Sequence, residues 1–388
     1  MRTSAFVYPW DVVGDPAAPA RIAALGVEQV TLAAAYHSTR ALTPRHPRHR
    51  VVTAEHAAVL YPPGGHWAGR TLRPYPAGDW APGDAYGEAA AALAEAGLDV
   101  HTWVVLAHNS RLGAEHPDIS VVNAYGDRYP WAPCIARPAT RAYLVDLAAE
   151  AAVRPGARGT ELESLGWYGL AHLHAHDKTA GVALGEAGQY LMSLCFCPAC
   201  RAGYGERGLD PEELAAAVRT ALEPVWQGAA PSDGGWAGVE KLLGETTAAV
   251  TRAWRDDTAR MLQEAAVAAV RAAAPAGFQV LLHADPVSYH CGANAGVDPA
   301  HILSVADGVV VPCTGGAGLL TPFTEQNRPG AVLAANLTIV SGMGGRPHTL
   351  AQDADRARAL GATELRLYHA GLASDGDLAA VRSALAGL

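Results

Sequence analysis

The sequence predicts an α/β fold, a single (β/α)8 TIM barrel with long loops after strands two and four. Three observations carry that prediction. Eight short apolar runs end in polar or aromatic residues, and an alanine-rich stretch of helical periodicity follows each, the alternation that marks βα units and a parallel sheet. The chain has 388 residues, a length that α/β barrels with insertions reach as one domain, here residues 1–388. Half of the residues are hydrophobic, enough for a large core, and no repeat of solenoid period competes with the barrel.

Strand one is SAFVYPWD at 4–11 and strand two is QVTLAAAYH at 29–37. An insertion at 38–90 follows, with the basic stretch TPRHPRHR and a segment rich in Pro, Gly and Trp, and a short helix runs from about 85 to 96. Connections this long in a compact fold usually serve as lids or binding walls. Strand three is DVHTWVVLAHN at 99–109 and strand four is GTELESLGW at 159–167. A second insertion, 168–277, holds a cysteine cluster and helices near 211–228 and 236–274. Strands five to eight are FQVLLHAD (278–285), DGVVVPC (307–313), AVLAANLTIV (331–340) and ELRLYHAG (364–371).

A barrel of this type places its site at the C-terminal ends of its strands. Those ends carry Trp10, Asp11, His37, His108, Asn109, Glu163, His283, Asp285, Cys313, Asn336, Tyr368 and His369. One polar residue at a strand end is ordinarily satisfied by its neighbours, but eight ends furnished in this way define a small-molecule site.

The formal charge of -9 and pI near 5.9 argue against nucleic acid and anionic membrane surfaces as partners, because phosphate binding needs concentrated Lys and Arg. The N-terminal residues MRTSAFVYPWDVVG lack the apolar stretch of a signal peptide, so a cytoplasmic protein is expected. In a reducing compartment clustered cysteines bind metal more often than they form disulfides.

Three of the six cysteines fall within SLCFCPACR, as Cys195, Cys197 and Cys200, with Pro198 tightening the turn. Three thiolates on one turn can face a single Zn²⁺ at about 2.3 Å, and a closed structural site needs a fourth ligand. Cys134 is the expected fourth, since it follows strand three on the same side of the barrel and precedes the helix leading into strand four. Cys291 and Cys313 are expected to pack or to line the pocket.

Cys134, Pro138 and Arg141, then Glu163, then Cys195, Cys197, Cys200 and Tyr204 stand in an order that resembles the glycoside hydrolase family 42 β-galactosidases and related glycosyl-hydrolase barrels. The resemblance covers about 80 residues closely. It implies a zinc-stapled loop and an acid/base at Glu163. Leu162 stands where that pattern has Asn, and Asn336 in strand seven stands where a nucleophilic Glu is expected.

Cleaving a glycosidic bond takes one carboxylic acid to protonate the leaving oxygen and a second carboxylate as nucleophile or base. Glu163 meets the first need by position. Glu161, two residues deeper on the same face, either perturbs Glu163 or fills the barrel as a paired carboxylate. Asp285 is the first choice for the second carboxylate, with Asp11 and Asp177 behind it. In GLAHLHAHDK, residues His172, His174, His176, Asp177 and Lys178 are expected to hydrogen-bond substrate or to hold a catalytic metal. Trp10, Tyr36, Trp167, Tyr168 and Tyr368 suit stacking on a sugar ring, or ordinary rim packing.

The sequence therefore points to a glycoside-hydrolase-like enzyme that takes a small-molecule or oligosaccharide substrate and carries structural zinc. A non-catalytic carbohydrate-binding barrel and a metal-dependent hydrolase or lyase using the His-rich loop are the alternatives. Homo-oligomerisation stays open.

Overall fold

A computed structural model describes residues 1–171, 177–231 and 234–388. The eight predicted strands are all present: β1 (Arg2–Val7), β2 (Gln29–Tyr36), β3 (Asp99–Val105), β4 (Ala157–Glu163), β5 (Gln279–Asp285), β6 (Gly308–Pro312), β7 (Val332–Thr338) and β8 (Glu364–Tyr368). Each pairs in parallel with its neighbours, and β1 pairs with both β2 and β8, so the sheet closes on itself into a (β/α)8 barrel. The strands are almost wholly buried, as expected when side chains fill the inside and helices cover the outside.

The interior is divided. Leu281, Val310, Val332 and Ala334 from β5, β6 and β7 form a small apolar cluster of their own. Beside it, with Glu161 in register with Leu281 and Glu364 with Ala334, the residues Ser4, Thr31, His101, Glu161, Glu364 and Arg366 make a polar layer with almost no solvent access. Arg366 Nε donates to Glu161 Oε1 at 2.5 Å and Nη1 donates to Glu364 Oε2 at 2.8 Å. Thr31 Oγ1 donates to the same Glu161 oxygen at 3.0 Å. A charge this deep persists only when paired and hydrogen-bonded. Burial alone would raise the Glu161 carboxyl, but the Arg366 guanidinium, reinforced by His283, outweighs it and holds the group at about 2. Of the two roles expected for Glu161, the paired barrel-filling carboxylate is the one its contacts describe.

Several boundaries differ from the sequence reading. β3 ends at Val105 and β4 at Glu163, so His108, Asn109 and Trp167 lie beyond the strands in the loops. The expected helix over 236–274 is two helices, Trp236–Leu243 and Glu245–Ala273, because Gly244 takes φ +79°, a left-handed conformation that glycine adopts without a steric cost.

The first long connection contributes a hairpin, Thr39–Leu42 with Val51–Ala54, and then helix Ala85–Glu95, whose N-terminus is capped by the Asp84 side chain accepting from Gly87 N. After β3 a second hairpin, Ser120–Val122 with Arg128–Pro133, leads into helix Pro138–Ala152. Among the described residues no helix is long and apolar enough to cross a membrane.

Candidate active site

Glu163 closes β4, and the chain turns sharply straight after it. Ser164 takes φ +56°, which is uncommon for a residue with a Cβ and persists where surrounding structure enforces it. Here the enforcement is a set of main-chain bonds: Ser164 N to Ala293 O at 2.8 Å, Leu106 N to Glu163 O at 3.0 Å and Ala107 N to Ser164 O at 3.1 Å. The carboxyl group is thus delivered from a fixed backbone. Trp103 Nε1 donates to Glu163 Oε2 at 2.7 Å, and His283 Nδ1 stands 3.9 Å from the same oxygen. The other ring nitrogen of His283, Nε2, is 3.5 Å from Glu161 Oε2, so an imidazole stands between the buried anion and the carboxyl group above it.

These groups form the floor of a cavity of about 550 Å³ at the C-terminal mouth, of the size that takes a small ligand. Glu163 and Trp103 are joined there by Tyr8, Tyr36, His37, His283, Asn336 and Tyr368. Tyr8 OH donates to Tyr36 OH at 3.0 Å, and the Tyr368 hydroxyl joins the same hydrogen-bonded group. Burial, with the neighbouring hydroxyls, raises Tyr8 and Tyr36 well above the usual phenol range and raises Tyr368 too, so all three keep their protons as donors. Among the described residues, Glu163 is the one carboxylate in the lining.

Sequence reasoning missed Tyr8 and Trp103. Trp103 shares inward parity with His101, so strand periodicity alone could have found it. For Tyr36 the sequence offers sugar stacking or rim packing, not a place in a hydrogen-bonded floor. It reaches the floor through a β-bulge, since the register between β2 and β3 slips between Ala33 and Ala35 and moves Tyr36 onto the same inner face as Thr31. Contact with Trp103, ring centroids 4.5 Å apart, follows from that slip.

Of the expected substrate-binding residues, the structure gathers His37, His283, Asn336 and Tyr368 in the lining. Others stand apart from it. Trp10 is buried and stacked on Tyr8 at 4.5 Å, as packing behind the wall. Asn109 caps helix Ser110–Glu115 by accepting from Leu112 N at 3.0 Å, which uses the oxygen a ligand would need. His108 is buried, stacks on Tyr168 at 4.1 Å and places Nδ1 3.1 Å from Trp131 O. Trp167 donates to Arg255 O and lies beneath that guanidinium. His369 is wholly buried against Tyr8, and burial followed by the Arg45 charge pushes it down to about 3, leaving it neutral. Lys178 is exposed and Asp177 half-buried at the edge of the fourth loop. His172, His174 and His176 lie outside the described residues.

Asp285 ends β5 as expected, yet its carboxylate turns into the following loop. Oδ1 accepts from Val287 N at 2.8 Å, and Oδ2 pairs with His290 Nδ1 at 3.0 Å. The side chain is therefore held outside the Glu163 cavity, which counts against the expected second-carboxylate role.

Asp11 is buried beside His369, accepting from Tyr8 N at 2.8 Å. Burial, partly offset by that bond and by Arg45, raises its carboxyl to about 7. The unfolded chain releases this proton near pH 4, so the folded state loses stability as pH rises from about 4 to about 7. Asp11→Asn is expected to stabilise the protein by about 1–3 kcal/mol at pH 8, with the gain vanishing at pH 4. Urea titrations at the two pH values check this, and an equal effect at both would refute it.

The four expected metal-site cysteines converge. Their sulfurs all lie within 4.8 Å of one another, all four residues are buried, and Cys134 Sγ is 3.6 Å from the sulfurs of both Cys197 and Cys200. A tetrahedral ion with bonds of about 2.3 Å requires sulfurs roughly 3.8 Å apart, so the spacing fits one divalent cation. Backbone N–H groups of Val122 and Cys197 point at Cys195 Sγ, at 3.5 and 3.4 Å. Burial raises Cys134 and Cys200 well above the usual thiol range, whereas hydrogen bonds with Cys134, Cys195 and Cys200 lower Cys197. A cation is what would let four such thiols ionise together.

Cys134 lies just beyond the second hairpin, and Cys195, Cys197 and Cys200 open helix Pro198–Gly205. The cluster therefore ties the loop after β3 to the loop after β4, together with Phe196 N bonding Val122 O at 2.7 Å and Trp131 Nε1 bonding Gly169 O at 3.2 Å.

The fold belongs with barrels found in glycoside hydrolases. The chain is similar to α-L-fucosidase isoenzyme 2 from Paenibacillus thiaminolyticus (TM-score 0.57, 12% identity, covering 100% of this chain and 49% of that one). It is similar to the PgaB (BpsB) glycoside hydrolase domain from Bordetella bronchiseptica (0.55, 16%, 99% of both chains). A family 42 β-galactosidase from G. stearothermophilus matches at 0.56 and 12%, over 100% of this chain and 56% of that one. The chain thus spans about half the length of the fucosidase and the β-galactosidase. At these identities the likeness is one of fold. No family model matches the chain, and no curated protein matches it.

Proposed function

We propose that the protein cleaves a glycosidic bond, with Glu163 as the general acid/base. The observation that carries this reading is one carboxyl group, held by an indole N–H and a constrained turn, at the floor of a barrel-mouth cavity furnished with tyrosine hydroxyls. Trp103 occupies Oε2 and leaves Oε1 to give its proton to the leaving oxygen. Tyr8, Tyr36, Tyr368, His37, His283 and Asn336 offer the donors and acceptors that a sugar ring needs. With Asp285 turned away, Asp177 is our choice for the second carboxylate; it lies outside the cavity lining, half-buried at the edge of the loop after β4, and it and Glu163 both act electrostatically on the Tyr168 hydroxyl. The cysteine cluster holds a structural Zn²⁺ that fixes the wall beside this site and takes no part in bond cleavage.

Wild-type protein is expected to release p-nitrophenol from at least one member of a panel of p-nitrophenyl glycosides, and Asp177→Asn is expected to slow that release by about 100-fold or more. The single carboxylate in the lining also supports a second reading, a carbohydrate-binding barrel without turnover. Saturable sugar binding by calorimetry with no release from any panel member would decide for it.

A further inference from the structure

We propose that the ligand of this cavity is an amphiphile, a glycoside whose sugar occupies the polar floor and whose aglycone is an apolar chain or ring lying on the rim. The proposal rests on the glycoside reading of the floor and adds the class of the leaving group. Eight large hydrophobic residues are exposed in the described chain; two of them line this one mouth, and a third is the cross-strand partner of one of those two. Leu42, 63% exposed, and Met343, 53% exposed, both line the cavity. Val51, 51% exposed, lies directly opposite Leu42 in the hairpin that follows β2, so their side chains share a face. Val340 and Leu372 continue the apolar surface inward.

Exposed apolar side chains scattered singly are ordinary, whereas apolar groups contiguous with a polar-floored cavity mark a surface that a ligand covers. The floor offers Glu163, His283, Asn336 and three hydroxyls, and the lip offers aliphatic and thioether carbon with Thr39 and Arg40 beside it. A free sugar or an oligosaccharide, with hydroxyls along its length, would leave that carbon in water or set it against polar groups. Met343 is followed by Gly344 and Gly345, and its unbranched side chain adapts to aglycones of differing shape.

The test compares methyl and n-octyl β-glycosides of glucose, galactose and fucose, below the micellar concentration, on wild type and on the Leu42→Asn/Met343→Gln double variant, with thermal melts to verify folding. The n-octyl member is expected to show kcat/KM at least about tenfold above its methyl partner on wild type, with the ratio falling toward one in the double variant. Equal values on wild type, or a ratio that the substitutions leave unchanged, would overturn the proposal. If none of these glycosides turns over, the p-nitrophenyl panel decides the Glu163 reading by itself, and calorimetric affinity for the octyl over the methyl members still decides the rim. Should sedimentation show a wild-type oligomer that the double variant dissociates, a second copy covers the rim and the aglycone assignment falls.

Discussion

Glu163→Gln is expected to lower kcat/KM on a cleaved alkyl glycoside by about 10²–10⁴-fold, the range spanned by removal of a positioned general acid. The substitution keeps size and shape, and the amide oxygen can still accept from Trp103 Nε1, so the melting temperature should stay close to that of the parent. What disappears is the proton. The loss should therefore depend on the leaving group: large for alkyl glycosides, which need protonation, and much smaller for 2,4-dinitrophenyl glycosides, whose phenolate departs unaided. Steady-state kinetics on the two substrate types measure the difference. A uniform loss on both would mean that Glu163 acts in binding or folding, and undiminished turnover would remove it from the chemistry.

The second large effect concerns the thiols. Purified protein should carry one zinc per chain, and Cys134→Ser should lose it, because three ligands from one turn leave an open and weaker site. Metal binding to a set that the unfolded chain does not preorganise adds directly to folding free energy, so the variant should be destabilised by several kcal/mol, and a chelator should lower the parent toward it. Acidification should have the same result, since each ligand must give up its proton to bind. Elemental analysis and calorimetry check these outcomes. Full zinc content in Cys134→Ser, or a melt indifferent to chelator, would refute the site. Activity should fall when the metal is removed, because the cluster joins the loops after β3 and β4 that flank Glu163.

Much of the barrel was legible because its signals are local. A buried parallel strand reads as a short apolar run whatever lies beside it, and all eight runs became strands. The thiol turn was equally plain, as three ligands within six residues need no distant information. Strand ends were harder. Where apolar residues run on past the end of a strand, as in Leu106 and Ala107 after β3, the sequence carries the strand on to Asn109 and offers it as a ligand, whereas it caps a helix. Trp10 and His369 were placed at the mouth by position and are instead packed on Tyr8, because a residue just beyond a strand can turn either toward the cavity or behind its wall.

Sequence alone was sufficient for the closed barrel, for the carboxyl group at the end of its fourth strand and for the partnership of Cys134 with a distant thiol turn. Periodicity and spacing act over a few residues at a time, and the order of the βα units places Cys134 on the same side of the barrel as the thiol turn, so none of these needs knowledge of contacts. The makeup of the cavity came from packing in three dimensions. A one-residue bulge turned Tyr36 inward, a loop histidine drew Asp285 out of reach, and Arg366 from the last strand claimed Glu161 on the fourth. Each of those outcomes turns on which groups meet across the barrel, where an ångström separates a hydrogen bond from a burial cost, and no local pattern encodes that distance.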